Sequence, residues 1–494
     1  MPSAGARRTV DRPPTIVIAD PPNPPSNPYV SAFPNLAALY LAAAVKRHIS
    51  HASVHYLDHR LSWREHLAQV RALKPDVYGL SFASPFARIA THLLADVRAT
   101  APDTRIVCGG PHPTIAAREV LMNTAADCCC LGEGEVTFPE LVNAWTRRTD
   151  LQEVPGIAFR DSRGGVVYSA KRQPVQPVDD IPSPDFTLVD LTSFTGLRMA
   201  MNQPSTAIVA SRGCPWNCTF CSNPVWRHHT PRVRLHSPER IVREVDELYG
   251  LGIREIYIRS DEMNADLGWA EEVFERLASL GRHDLYFQCN VRARPMTEKL
   301  ATLMRRANCW ECHIGLESAS NRVLKGIQKN IVRDDFEECV RLLNRAGVKV
   351  YAFMMMYNIW EENDRLQVET SREVLGSIRF ILEMRARGLV DRMSWGYATP
   401  YPGAEMQRVC DKYNLQLPTH SDDSVSGPDQ ISMQLPGIRP REMVAVRVLG
   451  LFAQSVLAGT TRQFWKGRNP VQTMRHAAFK AGRLLGGSRN VRAA

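Results

Sequence analysis

The feature that most constrains the fold of this 494-residue chain is a repeated alternation of short apolar strands with amphipathic helices. The series begins with a buried strand, "PTIVIAD" (14–20), and a helix, "PNLAALYLAAAVKRH" (34–48), whose apolar residues recur at spacings of three and four. Further strands are predicted at 52–58, 76–84 and 105–110, with helices between them. This order predicts a doubly wound, Rossmann-like α/β domain with a parallel sheet, and such sheets bind ligands at the carboxyl ends of their strands.

A second series of strands and helices begins near residue 206. Its six strand–helix repeats predict a partial (β/α)6 barrel, in which the loops after the strands carry the chemistry. Between the two regions, "VPGIAFRDSRGGVVYS" predicts a hairpin, and a stretch rich in proline predicts an extended connector. An amphipathic helix is predicted at 440–459, before a basic tail. The predicted units are an α/β domain at 1–142, a linker at 143–205, a barrel at 206–415 and a small, mainly helical C-terminal domain with its tail at 416–494.

Composition is typical of a large intracellular enzyme. Hydrophobic residues make up 44% of the chain and charged residues 23%, which are ordinary values for globular proteins. No apolar stretch has membrane-spanning length, and the start "MPSAGARRTVDRPPT" lacks the apolar segment of a signal peptide. Twelve cysteines without a secretion signal predict a reducing compartment, hence the cytoplasm. The net charge of +10 comes from scattered lysines and arginines, and no nucleic-acid-binding motif accompanies it.

Three cysteines lie within eight residues in the stretch "SRGCPWNCTFCSNPVW" (211–226), at positions Cys214, Cys218 and Cys221. A structural zinc site has four ligands, and the neighbouring residues supply no obvious fourth. A cubane iron–sulfur cluster also prefers four thiolates, so three thiolates would leave one iron open to an outside ligand. The spacing alone leaves both possibilities open: zinc with a distant fourth ligand, or a cluster with one open iron.

The cysteine loop resembles the C-x3-C-x2-C motif of the radical S-adenosylmethionine (SAM) enzymes, in which an aromatic residue precedes the last cysteine. Phe220 occupies that aromatic position. The resemblance implies that Cys214, Cys218 and Cys221 are the catalytic, metal-binding residues and hold a [4Fe-4S] cluster whose open iron is chelated by SAM. In that family, one electron from the cluster cleaves SAM to methionine and a 5′-deoxyadenosyl radical.

Two glycine turns, "CGGPHPT" (108–114) and "CCCLGEGEVTFPEL" (128–141), directly follow predicted strands. Glycine lets a backbone approach a bulky ligand closely, although a flavodoxin-like domain without a ligand would also contain such turns. The two turns resemble those of the cobalamin-binding domain that precedes the radical SAM core in one large subfamily. The resemblance implies that cobalamin is a cofactor, with contacts from Ser81, Ser84, Gly109, Gly110, Pro111, His112, Thr114, Gly132, Glu133, Gly134 and Glu135.

One departure concerns the lower face of the cobalamin. Domains that ligate cobalt through histidine contain D-x-H-x-x-G, whereas "LDHRLSW" (57–63) has a different order and no glycine. His59 is therefore predicted to be a surface or turn residue, and no protein histidine ligand to cobalt is expected.

Loops after the later strands contain candidate SAM contacts. In "SDEMN", Asp261 and Glu262 match an acidic turn that holds the SAM amino group in relatives, although acids that only stabilise a helix N-terminus are the alternative. Arg292 could bind a carboxylate bidentately or form a surface ion pair. In "GLES", Glu317 and Ser318 match a pattern that faces the methionine and ribose parts of SAM.

Two further motifs complete the set of candidates. The stretch "YATPYPGAEM" (397–406) resembles the last core strand of relatives, which implies that Tyr401 and Pro402 lie beneath cobalamin or substrate. Cys309 and Cys312 form a lone C-x2-C pair, which is weak evidence for a metal, and we predict that they pack in the core.

The family resemblance implies a cobalamin-dependent radical SAM methyltransferase that acts on an unactivated carbon of a small-molecule, natural-product intermediate. It also implies an electron donor such as a flavodoxin or ferredoxin. The first alternative is the same cofactors used for cyclisation, ring contraction or oxidation without methylation. The second is a zinc-stabilised nucleic-acid-binding protein, which the basic charge would suit. Binding to a membrane is not expected, and binding to nucleic acid is disfavoured.

Overall fold

Two parallel sheets, one after the other along the chain, form the fold. The structure is a computed structural model, and it describes residues 12–23, 33–194, 200–222, 232–417 and 430–458. The strands of the first sheet are β1 Thr15–Ala19, β2 Ser53–Leu57, β3 Val77–Ser81, β4 Arg105–Gly109, β5 Cys128–Cys130, β6 Ile157–Arg160 and β7 Val166–Tyr168. The helices that accompany them are α1 Leu36–His48, α2 Trp63–Leu73, α3 Ala87–Thr100, α4 Pro111–Ile115, α5 Ala117–Asn123 and α6 Gly134–Arg147.

The first sheet has the order β2-β1-β3-β4-β5-β6-β7. Strands β1 to β5 are parallel, which confirms the predicted doubly wound domain. The predicted hairpin forms β6 and β7, which extend this sheet in the antiparallel direction. Because β1 pairs with β2 on one side and β3 on the other, the connections reverse direction there and leave a crevice at the carboxyl edge. The glycine turns after β4 and β5 lie at that edge.

The second sheet confirms the partial barrel, since six parallel strands follow the order β17-β14-β13-β12-β11-β8. The strands of this half of the chain are β8 Ser205–Val209, β9 Ser211–Arg212, β10 Arg234–Leu235, β11 Glu255–Arg259, β12 Tyr286–Val291, β13 Cys309–Glu317, β14 Lys349–Met356, β15 Ile359–Glu362, β16 Arg365–Val368 and β17 Arg392–Tyr397. Its helices are α7 Pro238–Gly250, α8 Leu267–Ser279, α9 Glu298–Arg306, α10 Asn321–Gly326, α11 Arg333–Ala346, α12 Ser371–Ala386, α13 Glu405–Lys412 and α14 Pro440–Ala458.

Strand β14 shows how the barrel strands divide their side chains between two faces. Val350, Met354 and Met356 are buried in the core between the sheet and its helices. Tyr351 and Phe353 alternate with them and face the barrel interior, as the two-residue period of a strand requires. The barrel therefore has an apolar outer layer and an inner face that is free to carry polar and aromatic groups.

Helix α14 packs against α12 and β17, next to the ends of the last barrel strands. The Tyr397 hydroxyl donates to the carbonyl of Met443 at 3.2 Å, and the Arg447 guanidinium lies 4.8 Å from the Tyr397 ring centroid. The predicted helix at 440–459 is thus present, and the basic tail after it lies outside the described residues. In the parts of the chain that the structure describes, no helix combines the length and the apolar character needed to cross a membrane.

Candidate active site

The cysteine loop begins immediately after β9 and is held by contacts to distant parts of the barrel. Gly213 precedes the first cysteine with a φ of +88°, in a turn where a Cβ would lie 2.0 Å from the carbonyl oxygen of Arg232. Within the loop, the Thr219 amide donates to the carbonyl of Ile327 at 3.0 Å, and the Met406 amide donates to the Thr219 carbonyl at 2.7 Å. These contacts fix the backbone between Cys214 and Cys221.

Phe220 has a packing role that its sequence position does not reveal. Its ring packs against an apolar cluster formed by Val323, Ile327 and Trp360. The Nζ atom of Lys329 lies 5.6 Å from its ring centroid. The aromatic residue of the motif therefore ties the cysteine loop to the region around α10.

The candidate SAM contacts Glu262 and Arg292 lie beside the first cysteine. Glu262 is 4% exposed, and one of its carboxylate oxygens lies 3.9 Å from the Cys214 sulfur. Arg292 is 6% exposed, and its Nε lies 3.9 Å from the other Glu262 oxygen. Burial raises the pKa of Glu262 to about 7, while the Arg292 charge acts to lower it. The alternative of an exposed ion pair for Arg292 does not apply in this structure.

Both side chains retain hydrogen-bonding atoms without partners. Glu262 Oε1 and the Nε and Nη2 atoms of Arg292 are buried and make no hydrogen bond among the described residues. Buried polar groups normally have hydrogen-bond partners. A carboxylate and a guanidinium that both lack partners fit a ligand that has an ammonium group for the first and a carboxylate group for the second. The amino acid part of SAM has this pair of groups, and the residues present fit it.

Other candidate SAM contacts have partners within the protein. Glu317 has a φ of +70° and accepts a hydrogen bond from Lys329 Nζ at 2.9 Å. Ser318 is 0% exposed, and its hydroxyl donates to Glu369 at 2.7 Å. Burial raises the pKa of Glu369 to about 7, although hydrogen bonds from Asn358 and Ser318 oppose the shift. The Ser318 hydroxyl is thus occupied, and a SAM contact from Glu317 or Ser318 stays a prediction.

The predicted floor residues lie outside the two cavities described below. Tyr401 is half-buried, which raises the pKa of its hydroxyl, and its carbonyl accepts a hydrogen bond from the Ala404 amide at 3.1 Å. Pro402 follows in the same turn. A contact of either residue with cobalamin or substrate stays a prediction.

A cavity of about 400 Å³, here called the interdomain cavity, lies where the first sheet faces the cysteine loop. Residues from both halves of the chain line it, including Arg212 and Gly213 directly before the first cysteine. Its wall also contains eight of the predicted cobalamin contacts: Ser81, Gly109, Gly110, Pro111, Gly132, Glu133, Gly134 and Glu135. None of the lining residues that the structure describes is a histidine. The glycine turns let the backbone approach a ligand closely, which fits one arm of a corrinoid.

Three predicted cobalamin contacts support this wall without lining it. Thr114 Oγ1 donates to the Gly110 carbonyl at 2.8 Å and accepts from the Gly132 amide at 3.0 Å, so it joins the two glycine turns. The His112 Nδ1 lies 3.1 Å from the Ser84 hydroxyl, and His112 is buried. In this structure these three side chains hold the turns in place, and their direct contact with cobalamin stays a prediction.

His59 lies in a turn, as predicted, but its side chain is buried. Its Nδ1 lies 3.7 Å from a carboxylate oxygen of Asp20, and its ring packs against Phe194. It does not line the interdomain cavity.

The two glutamates of the second glycine turn pair with two arginines that flank the cysteine loop. Arg212 on β9 donates to Glu135 Oε1 at 2.5 Å and lies 3.3 Å from Glu133 Oε1. Arg234, its partner on β10, donates to both carboxylate oxygens of Glu133. Burial alone would raise the pKa of Glu133, but the two guanidinium groups hold it below its usual value. Because these charges are largely buried, the set fixes the turn relative to the cysteine loop.

Sequence reasoning missed both of these arginines. Arg212 carries a signal, since it stands two residues before Cys214 in "SRGC". Arg234 carries none, because it is 101 residues from the glutamate that it binds.

A second group of cysteines lies elsewhere, on the outer face of the barrel sheet. The Cys289 sulfur is 3.9 Å from that of Cys309 and 4.0 Å from that of Cys312, and all three residues are 0% exposed. In the described part of the chain, no histidine, aspartate or glutamate joins them as a fourth ligand. Hydrogen bonds among the three sulfurs, together with burial, raise the pKa of the Cys289 and Cys312 thiols. Three buried cysteines without a fourth ligand among the described residues agree with the predicted packing role.

A test of the SAM contacts follows from the unsatisfied atoms of Arg292. We expect Arg292→Ala to weaken SAM binding by about 10- to 100-fold, because a buried charge-assisted hydrogen bond is lost. Equilibrium binding of SAM to the reconstituted protein measures this effect. Arg294→Ala, at the exposed arginine two residues further on, is the matched control. Equal SAM affinity in the two variants would contradict the assignment.

Comparisons with known proteins agree with this geometry. The family model for the radical SAM superfamily matches residues 208–370, which contain the cysteine loop. The model for the B12 binding domain matches residues 29–142, which contain both glycine turns.

The curated relatives include methyltransferases and ring-forming cyclases. An uncharacterised methyltransferase of Pyrococcus horikoshii is 28% identical over 78% of this chain and 80% of its own length. A cytidylyl-2-hydroxyethylphosphonate methyltransferase of Streptomyces wedmorensis is 26% identical over 79% of this chain and 76% of its own length. An anaerobic magnesium-protoporphyrin IX monomethyl ester cyclase of Rubrivivax gelatinosus is 26% identical over 72% of this chain, which spans 64% of that protein.

Two solved structures share the fold over nearly the whole chain. The cobalamin-dependent SAM radical enzyme OxsB aligns with a TM-score of 0.70 at 17% identity, over 95% of this chain and 72% of its own. The radical SAM methyltransferase TsrM of Kitasatospora setae aligns with a TM-score of 0.68 at 15% identity, over 96% of this chain and 99% of its own. The order of the two domains is therefore the same in all three proteins.

Proposed function

This chain is a radical SAM enzyme that carries a B12-binding domain, and we propose that it transfers a methyl group from methylcobalamin to an unactivated carbon of a small molecule. The substrate class that we propose is a natural-product intermediate. The reaction would proceed through a substrate radical made by the 5′-deoxyadenosyl radical.

The observation that carries this proposal is that residues of both domains line the interdomain cavity. Glycines of the B12-binding domain line it on one side, and the residues leading into the cysteine loop line it on the other. Val209, Ser211 and Asp261 also line a second cavity inside the barrel. A cofactor in the first cavity and a substrate in the second would therefore be neighbours beside the cysteine loop.

The residues of the chain position the reacting groups and exclude water. When bound, the cluster, SAM and cobalamin supply an electron, a hydrogen-abstracting radical and a methyl group. The three cysteines Cys214, Cys218 and Cys221 would hold the cluster after the end of β9. Glu262 would accept hydrogen bonds from the SAM ammonium group, and Arg292 would donate to the SAM carboxylate. The ion pairs of Glu133 and Glu135 with the arginines hold the cobalamin wall at a constant distance from the cysteine loop.

Two of the relatives reported above support methylation by their names, since both are methyltransferases. The cyclase of Rubrivivax gelatinosus supports the second candidate, ring formation with the same cofactors. Similarity to both kinds of enzyme means that the shared domains do not decide the outcome of the substrate radical. The zinc-stabilised nucleic-acid-binding alternative has no support, because the residues that suggested it belong to the matched radical SAM domain.

The electron that starts the reaction would come from a small redox protein such as a flavodoxin or ferredoxin. A reducing compartment such as the cytoplasm suits both that partner and the exposed iron of the cluster.

The test uses SAM with an isotopically labelled methyl group and needs no knowledge of the substrate. We expect the reconstituted protein, with cobalamin and a strong reductant, to make S-adenosylhomocysteine and to place the label in the cobalamin fraction. Omission of cobalamin should remove S-adenosylhomocysteine and leave uncoupled 5′-deoxyadenosine formation. Formation of 5′-deoxyadenosine alone, with no label in cobalamin, would favour the non-methylating alternative.

A further inference from the structure

The second cavity lies inside the barrel, has a volume of about 670 Å³ and is here called the barrel cavity. This volume is in the range of pockets that bury a small organic molecule. Its lining residues come from β8, β11, β12, β13, β14 and β17, so every barrel strand contributes to it. It meets the interdomain cavity at Val209, Ser211 and Asp261, next to the cysteine loop. Under the proposed function, this is the place for the substrate.

One wall of the barrel cavity is a continuous row of rings. Phe33 stacks on Tyr257 with ring centroids 6.3 Å apart, and Tyr257 lies 5.2 Å from His313. His313 in turn contacts Tyr351 at 5.1 Å and Phe353 at 5.7 Å. Burial lowers the pKa of His313 to about 4, so its ring is neutral near pH 7. Rings arranged in this way bind flat, apolar surfaces.

Two charged residues that line the barrel cavity, Arg392 and Glu311, pair with each other. The Arg392 Nε donates to Glu311 Oε1 at 2.7 Å, and a second donor of the same guanidinium contacts the other carboxylate oxygen. Glu311 is 0% exposed and also lies 3.1 Å from His313 Nε2. The two charges offset each other, so this pair presents no net charge to a ligand.

Arg259 is different, because no carboxylate in the described part of the chain pairs with its charge. It is the last residue of β11 and faces the cavity two residues after Tyr257. Its guanidinium carbon lies 5.8 Å from the Phe33 ring centroid and 5.7 Å from that of Tyr257. In the described parts of the chain it makes no hydrogen bond or ion pair, and its side chain is exposed to the cavity.

Of the segments outside the described ranges, 1–11 and 418–429 contain four aspartates, and the other segments contain no aspartate or glutamate. A guanidinium that lines a cavity without a counter-ion is stabilised when a bound anion accepts its hydrogen bonds. Asp261 lies at the mouth of the cavity, on the side toward the cysteine loop, and an anion bound at Arg259 would have to avoid it.

We propose that the substrate is a flat, largely apolar molecule with an anionic group, and that Arg259 binds this anion while the ring row binds the flat surface. This inference rests on the proposed function, because it takes the barrel cavity as the substrate site. A carboxylate and a phosphate monoester share the required chemistry, and the experiment separates them.

The test measures binding of three probes to the reconstituted enzyme by calorimetry: 2-naphthoate, 2-naphthyl phosphate and the neutral 2-naphthylmethanol. We expect at least one of the anions to bind about 10- to 100-fold more tightly than the alcohol, as for one charge-assisted contact. Arg259→Gln should remove this preference and leave the affinity for the alcohol unchanged. Arg259→Lys should retain part of the preference, because it keeps the charge but loses the bidentate geometry.

The control is Arg254→Gln. Arg254 immediately precedes β11, is paired with Asp284 and does not line the barrel cavity. This variant should bind all three probes as the wild type does. Equal affinity of the wild type for the alcohol and both anions would overturn the inference. So would a loss of SAM affinity in Arg259→Gln as large as the loss of anion affinity, because the guanidinium would then serve SAM.

The probe experiment and the methyl-labelling experiment fail independently. If the label reaches cobalamin but the wild type binds neither anionic probe more tightly than the alcohol, only the assignment of Arg259 is contradicted. If the anionic probes bind through Arg259 but no label reaches cobalamin, the binding site stands and the methyl-transfer proposal is lost.

Discussion

Cys218→Ala should leave a folded protein that retains cobalamin but has lost its cluster and cleaves SAM at least about 1000-fold more slowly. The reason is that three thiolates are the minimum that holds a cubane with one open iron. Cys218 is 8% exposed, in a loop held by backbone contacts on both sides of it, so no neighbouring side chain can replace its sulfur. Iron and sulfide analysis after anaerobic reconstitution, together with 5′-deoxyadenosine formation under strong reductant, measures the effect.

The control for this prediction is Cys309→Ala, in the buried group of three cysteines on the outer face of the barrel. That variant removes a sulfur from the core and should cost about 1 to 2 kcal/mol of unfolding free energy. Its iron content and its SAM cleavage should match those of the wild type. The reverse result, with iron lost in Cys309→Ala and kept in Cys218→Ala, would contradict the assignment of the cluster to the cysteine loop.

Gly213→Ala should be the most damaging of the glycine substitutions near the site. The added Cβ would lie 2.0 Å from the carbonyl oxygen of Arg232, which is a backbone atom and cannot rotate away. The position also has a φ of +88°, where an alanine is strained. The chain before Cys214 must therefore move, and with it Arg212 and its ion pairs. We expect a loss of about 3 kcal/mol or more in unfolding free energy and a fall in cluster content.

Gly164→Ala separates the two causes of that effect. Gly164 has a φ of +81° in the hairpin between β6 and β7, and nothing lies within 4 Å of an added Cβ. This variant has the same backbone strain without the clash, so it should lose only about 1 kcal/mol and keep its iron. Chemical denaturation measures both variants. If they were equally stable and equally rich in iron, the backbone contact at Gly213 would have no structural role.

The glycine turns show how far sequence reasoning could reach at the cobalamin site. The backbone of Gly110 and Gly132 lines the interdomain cavity as a turn after a strand should. The side chains of Ser84, His112 and Thr114 do not line it, because they bind one another or the turns themselves. A motif fixes where the backbone passes, but whether a hydroxyl contacts a ligand or a neighbour depends on rotamers that no local pattern encodes.

The SAM candidates show the same division. Glu262 and Arg292 lie in two different loops, and the structure brings them together beside Cys214. The sequence pointed to both residues because each follows a predicted strand. Ser318 was selected in the same way, yet its hydroxyl is used by Glu369, which is 51 residues away. The difference lies in the packing of the loop after β16, which the strand pattern does not specify.

The sequence by itself determined the order of strands and helices, the three cysteines at the end of β9 and the two glycine turns after β4 and β5. These features depend on spacings of a few residues, since a strand alternates every two residues, a helix repeats every 3.6 and a short loop limits where its cysteines can reach. Only the tertiary structure decided that Arg212 and Arg234 bind Glu133, and that Arg259 faces a cavity without a counter-ion among the residues that the structure describes. Those contacts join residues that are far apart in the chain. They depend on how two sheets meet, and the free energy of such a meeting is a sum over many packed side chains that no short stretch contains.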